Sequence, residues 1–169
     1  VCSSTYSGSG CDYTADGTND EAQIAAALDA ANAASRGNTC LSGGVFSIGA
    51  AINITAYENQ GIVGTRSGGT SSSTNATFLQ LPAAASNYMF EFDATGSGTV
   101  FAIALKQFTA VGSSTGTGGF FRVINVAGSK VLSDLHVEDV FLTDFGDSTE
   151  AIVNADEFSS RLIADLLAS

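Results

Sequence analysis

Tryptophan is absent, proline and histidine occur once each, and six lysines and arginines face seventeen aspartates and glutamates. Each shortage excludes something. Without tryptophan the chain lacks the usual sugar-stacking platform, although four tyrosines and eleven phenylalanines remain. One proline leaves no Pro-rich linker, while nineteen glycines suit many tight turns. The basic residues Arg36, Arg66, Lys106, Arg122, Lys130 and Arg161 are scattered and the net charge is −11. Nucleic acid is thereby disfavoured, because phosphate binding needs clustered Lys and Arg. A uronic-acid polyanion would be hard to accept without metal ions. No apolar run approaches the roughly 20 residues of a membrane helix, so no membrane span is expected. No charged n-region and apolar h-region open the chain, which predicts that any signal peptide has been removed.

Familiar catalytic signatures are missing too. There is no Gly-x-Ser-x-Gly elbow. Gly112 to Gly119 is glycine-rich but lacks the lysine and following helix of a phosphate loop. His136, in Leu135-His136-Val137-Glu138, falls on the polar phase of a strand, where an exposed histidine beside Glu138 is expected with no nucleophile to serve.

What is present is strand-like. The 169 residues fit one domain, and 44% hydrophobic with 14% charged residues argues against disorder. Thr18 and Glu21 have the spacing of a capping box, Ile24, Ala27, Leu28 and Ala31 form one apolar helical stripe, and Arg36-Gly37 stands where a C-cap is expected. Short β-branched and aromatic segments follow, at Val45–Ile48, Ala51–Ile54, Gln60–Gly64, Thr77–Leu81, Tyr88–Phe92, Phe120–Val126, Val131–Phe145 and Ala151–Ala155. Thr99–Val111 predicts two strands with a bend near Lys106-Gln107, and Gly64–Asn75 and Gly112–Gly119 read as polar loops. Leu132, Leu135, Val137, Val140 and Leu142 are the expected inward residues of the Val131–Phe145 segment. From Phe158 to Leu167 the period turns helical.

The run D-Y-x-A-D-G-x-x-D-E-x-x-I-x-x-A-L begins at Asp12 and ends at Leu28, with Tyr13, Ala15, Asp16, Gly17, Asp20, Glu21, Ile24 and Ala27 at its matching positions. Gly37, Leu41, Gly44, Phe46 and Ile48 then spell G-x-x-x-L-x-x-G-x-F-x-I. Together they resemble the N-terminal cap of pectin-lyase-like right-handed parallel β-helices, a superfamily that includes pectate-lyase-like enzymes, alginate C5-epimerases, phage tailspikes and non-catalytic surface proteins. The resemblance covers about the first quarter of the chain. It implies an all-β solenoid, a right-handed parallel β-helix of few rungs, with a capping α-helix over about residues 20–34 and a short C-terminal helix or closing strand. The expected organisation is a single domain over 1–169, with a tail at 1–18, the capping helix within 19–36, rungs over 40–156 and a closing segment at 157–169. Rungs of about twenty to twenty-five residues leave room for roughly five.

Cys2, Cys11 and Cys40 all fall near the cap, which predicts a disulfide that ties the tail down. Cys11–Cys40 or Cys2–Cys40 would do so, and spacing does not choose between them. The leftover thiol is then free and buried, bridges to another subunit, or reflects truncation. Their spacing fits no zinc site, and His136 lies far away. A disulfide points to a secreted or cell-surface setting. Asn53-Ile54-Thr55 and Asn75-Ala76-Thr77 are N-glycosylation acceptor patterns that agree with it in a eukaryote.

Glycoside hydrolysis needs two carboxylates at a set separation. Asp134, Glu138, Asp139, Asp144, Asp147, Glu150, Asp156 and Glu157 form an acidic run, with Asp144 and Asp147 the first choice for a catalytic pair. A lyase like those of the superfamily would need a basic group near calcium-binding acids, and Arg122, Lys130 and Arg161 are the options, Arg122 first. The polygalacturonase-like motifs and the epimerase-like Asp-Pro-His are absent. The leading expectation is therefore an extracellular, non-catalytic protein with a structural, self-assembling or surface-adhesive role, partnered by copies of itself or by extracellular polysaccharide. It needs no cofactor, calcium being the one its acids would admit. A uronic-acid polymer lyase, hydrolase or epimerase, or the N-terminal part of one, is the second expectation, and a glycan-binding tailspike-like module the third.

Overall fold

A computed structural model of the chain describes residues 1–6, 8–34, 37–55, 60–68, 75–93, 100–101, 103–124, 132–133, 135–145, 153–155 and 163–164. Among the described residues one helix, α1 (Glu21–Ala33), precedes thirteen strands: β1 (Asn38–Cys40), β2 (Gly44–Ser47), β3 (Ile52–Thr55), β4 (Gly61–Val63), β5 (Thr77–Gln80), β6 (Phe90–Asp93), β7 (Val100–Phe101), β8 (Ala104–Val111), β9 (Phe121–Ile124), β10 (Leu132–Ser133), β11 (His136–Thr143), β12 (Val153–Ala155) and β13 (Ile163–Ala164). Apart from β1 and β13, these fall on the segments whose alternation marks them as strands.

Every strand pair is parallel. A seven-stranded sheet runs β1-β4-β8-β11-β13, with β2 and β5 joined to it through β8, and it curls into a half-barrel. A four-stranded sheet has the order β12-β9-β6-β3, and β10 pairs with β7 in a third. Parallel pairing stacks like residues on like. Ile52, Phe90 and Phe121 share one inward column of the four-stranded sheet, and Ile54, Phe92 and Val123 share the next, all buried. In the curled sheet Ile62, Leu105 and Val137 form another, and Phe46, Leu79 and Ala110 a fourth. The two sheets meet where the Phe90 and Phe108 rings lie 6.1 Å apart, and Phe120 stands edge-on to Phe90 at 5.6 Å. Burying each such ring stabilises the fold by roughly 1.5–3 kcal/mol.

The curl has a local cause. Gln107 and Asp139 are non-glycine residues at φ +59° and +53°, between the in-register pairs Lys106–Glu138 and Phe108–Val140. A left-handed residue inside a strand turns its direction, so each of β8 and β11 bends at the same level. Before the bend, β8 pairs with β4; after it, on the same side, with β5. The bend expected near Lys106-Gln107 is thus present.

The expected right-handed parallel β-helix solenoid of few rungs is corrected by this arrangement. The strands form a curled half-barrel and smaller sheets with one helix, and the sheet branches at β8. Regular rungs would need evenly spaced partners, yet Asn38 pairs with Gly61, Gly61 with Ala104 and Ala104 with His136, at unequal intervals. At the C-terminus, where a short helix or a closing strand is expected, Ile163–Ala164 is a strand beside His136 and Val137 and not a helix. The remainder of 157–169 lies outside the described residues.

Helix α1 buries Ile24 and Leu28 as its stripe predicts, and ends at Ala33, short of Arg36-Gly37. Its start differs from a capping box. Asp20 is the N-cap, without a side-chain cap bond, and the Glu21 carboxylate accepts the Gly49 amide instead of reaching back to Thr18. The acids at this helix end fasten it to the sheet.

Candidate functional site

Of the residues expected to carry catalysis, Arg122 and Asp144 are among the described residues. Arg122 projects from the four-stranded sheet, where β9 stacks on β6 and sets it in register with Glu91. Its Nε donates to Glu91 Oε2 at 2.6 Å, a second nitrogen lies 2.5 Å from the same oxygen, and the guanidinium sits 5.3 Å from the centre of the Tyr88 ring. Its guanidinium is thus tied to a carboxylate and lies over an aromatic face. Asp144 lies just past the end of β11, exposed, at φ +57°. Asp147 lies outside the described residues, as do Lys130, Arg161, Asp134, Glu150, Asp156 and Glu157. Among the described residues, no three His, Cys, Asp or Glu side chains converge on a point where a metal could sit.

A polar cluster does form on the outside of the curled sheet. Lys106 Nζ donates to Glu138 Oε2 at 2.6 Å, and His136 Nε2 lies 3.1 Å from that oxygen. Glu138 keeps 57% of its side-chain surface exposed and His136 52%, so the histidine stands in solvent beside the glutamate. The hydrogen bond from Lys106, and a smaller one from His136, hold the Glu138 carboxyl below its ordinary value. Nearby, Ser67 Oγ donates to Asp139 Oδ1 at 2.6 Å and the Gly68 amide to Thr109 Oγ1 at 2.8 Å. These contacts lay the start of the Gly64–Asn75 loop over the sheet. Phe78 and Thr109, on the outward side of their strands, are only 2% and 1% exposed. Phe141, next in that outward column, is 49% exposed.

The two ends of the curled sheet are unlike. At the first, the outer edges of β1 and β2 are occupied. The Val1 amine donates to the Cys40 carbonyl at 2.6 Å and its carbonyl accepts the Ser42 amide at 2.9 Å. Burial pushes the Val1 amine below its ordinary pKa, against smaller opposing influences from Cys40 and Asp12. Ser3 Oγ donates to the Gly43 carbonyl at 2.8 Å, and Asp20 fills the edge of β2 at Ser47. At the other end, β13 pairs with His136 and Val137 alone, and among the described residues no strand covers the outer edge of Val140–Thr143. Unpaired strand edges recruit other strands.

Beside the closed end lies a cleft of about 700 Å³ between the tail, the alanine face of α1 and β1, lined by Cys2, Cys11, Cys40, Tyr6, Ala27 and Ala31 among others. Cys2 and Cys11 are at disulfide distance, with Cα atoms 5.8 Å apart. Neither expected pairing with Cys40 is formed, and Cys40 is a free, exposed thiol. Tail residues Val1 and Ser3 reach β1 and the turn after it by hydrogen bonds, so no disulfide to Cys40 is needed to hold the tail. Asn53 and Asn75 are both exposed.

Glu91 and Ser67 escape sequence reasoning. Each is a polar residue whose partner, Arg122 or Asp139, lies far along the chain, and the unequal spacing of paired strands hides that register. Compared with protein-family models, curated proteins and solved structures, the chain matches none.

Proposed function

We propose that this chain is an extracellular, non-catalytic structural protein that associates with a second copy of itself through the open edge of β11. The observation that carries the reading is the difference between the ends of the curled sheet. One is closed by Val1, Ser3 and Asp20, and among the described residues the other leaves the outer edge of Val140–Thr143 uncovered, with Phe141 in that stretch 49% exposed. Phe141 is a large apolar side chain that pairing would take out of water. Two copies that present this same edge pair about a two-fold axis and stop at two. The commitment of Arg122 to Glu91 supports a role without catalysis. Cys2 and Cys11 at disulfide distance and the exposed Asn53 and Asn75 support a secreted setting.

Light scattering over a concentration series, with negative-stain microscopy, tests it. The expected result is a concentration-dependent dimer. A monomer at every concentration sinks the reading, and effort would then turn to glycan-binding and lyase assays.

A further inference from the structure

Three cysteines line one cleft, two of them bonded and the third a free thiol. That is the composition of a thiol–disulfide exchange centre, which needs an attacking thiolate, a disulfide and access between them. The backbone places Cys2, rather than Cys11, alongside the Cys40 segment. Both neighbours of Cys2 are fixed to the segment that begins at Cys40: Val1 bonds to the Cys40 carbonyl and the Ser42 amide, and Ser3 bonds to Ser42 Oγ and the Gly43 carbonyl. Cys2 itself is pinned on its other side, its amide donating to the Tyr13 carbonyl and its carbonyl accepting the Ala15 amide. Cys2 is buried at 4% exposure, while Cys11 is partly exposed.

We infer that Cys40 exchanges with the Cys2–Cys11 disulfide, so that the native chain interconverts between a Cys2–Cys11 and a Cys2–Cys40 bridge. The Cys40 thiolate attacks Cys2 Sγ, the Cys2–Cys40 bond forms and the Cys2–Cys11 bond breaks. Cys11 leaves with the electron pair and takes up the proton that Cys40 gave up. No oxidant or reductant is consumed. The second bridge closes a longer loop than the nine-residue separation of the first, so in the chain-entropy picture it would hold the fold more strongly against unfolding. It also staples the tail to β1, which the first bridge does not. The thiol left on Cys11 then stands in the partly exposed tail loop, so the position of the reactive group on the surface changes with the bridge.

The test is to hold the native, unreduced chain at mildly alkaline pH for hours, the timescale of uncatalysed rearrangement. Samples are quenched in acid, alkylated and mapped by peptide mass spectrometry, while circular dichroism checks that the fold persists. Label is expected on Cys40 and, increasingly, on Cys11, never on Cys2, together with a Cys2–Cys40 linked peptide. In a glutathione redox buffer the Cys11→Ser chain should form the Cys2–Cys40 bridge and lose all titratable thiol. Label confined to Cys40, label on Cys2, or two titratable thiols remaining in Cys11→Ser would each overturn the inference.

Discussion

Asp20 and Ser47 exchange two hydrogen bonds: the Asp20 amide donates to the Ser47 carbonyl at 2.7 Å, and the Ser47 amide to Asp20 Oδ2 at 2.8 Å. The other carboxylate oxygen accepts the Gly17 amide at 2.9 Å, and the residue is fully buried. One residue thus completes the outer edge of β2 and, through its carboxylate, fixes the loop before the helix. Asp20→Ala leaves two amides without their acceptors and should cost roughly 2–4 kcal/mol, since a buried donor stripped of a charged partner loses its full desolvation cost. Urea unfolding would show it as a lowered midpoint at unchanged slope. A loss below about 0.5 kcal/mol, the range of an ordinary surface change, would mean that water replaces the carboxylate.

The stacked left-handed residues make a second prediction. Gln107 is exposed and at φ +59°, so its side chain contributes little packing while its backbone is strained. Gln107→Gly should be neutral or stabilising, and Gln107→Val destabilising, with a gap between the two of roughly 1–2 kcal/mol. Thermal unfolding of the two variants in parallel measures it. Equal stabilities would place the bend elsewhere.

The strands and the helix could be read from the sequence because their periods are local. Ile24 and Leu28 repeat at helical spacing and Ile52 and Ile54 at strand spacing, and all four are buried. Leu135 and Val137 are buried and Val140 and Leu142 pack against the core, as the alternation of that segment predicts. What joins the strands is not local. Nothing in the residues of β8 states that it takes β4 and β5 on one side, because that follows from where the chain bends. The Asp12–Ile48 run explains why a solenoid was expected: it describes a helix fastened to a first strand edge, which the molecule has, and says nothing about the spacing of later strands. The candidate carboxylate pair was not legible for a related reason. Asp144 and Asp147 are neighbours in sequence, but catalysis depends on where each side chain points, and Asp147 lies outside the described residues.

Glu138 gives a prediction in pH. Its carboxyl is held below the ordinary value of 4.5, chiefly by the hydrogen bond from Lys106. A depressed carboxylate contributes stability above its unfolded pKa and loses it as pH falls through the folded value. The Lys106–Glu138 contribution should therefore be complete at neutral pH, begin to fall off near pH 4.5 and be gone once pH is below the lower folded value. Because the pair is exposed, the effect should be small and weakened by salt. Carbon-detected NMR titration of the Glu138 carboxyl should show its midpoint rise in Lys106→Met. A midpoint that stays put would show that the lysine is not what lowers it.

The proposed dimer has an electrostatic signature that separates edge pairing from nonspecific clumping. The chain carries a net charge of −11, and Glu138, Asp139 and Asp144 lie in or just beyond the strand that would pair. Two such edges repel at low ionic strength, and salt shortens the reach of that repulsion to about 8 Å at physiological levels. Association should thus strengthen as salt rises from low to physiological concentration, the reverse of an assembly held by opposite charges. Phe141→Lys removes the exposed apolar ring and should weaken dimerisation at least tenfold, about 1.4 kcal/mol, without lowering the monomer's unfolding midpoint, because that ring is half in solvent already. Sedimentation equilibrium of both chains at two salt concentrations reads all of this. If Phe141→Lys dimerises like the parent, the contact lies on another surface, and the open edge of β11 does not make it.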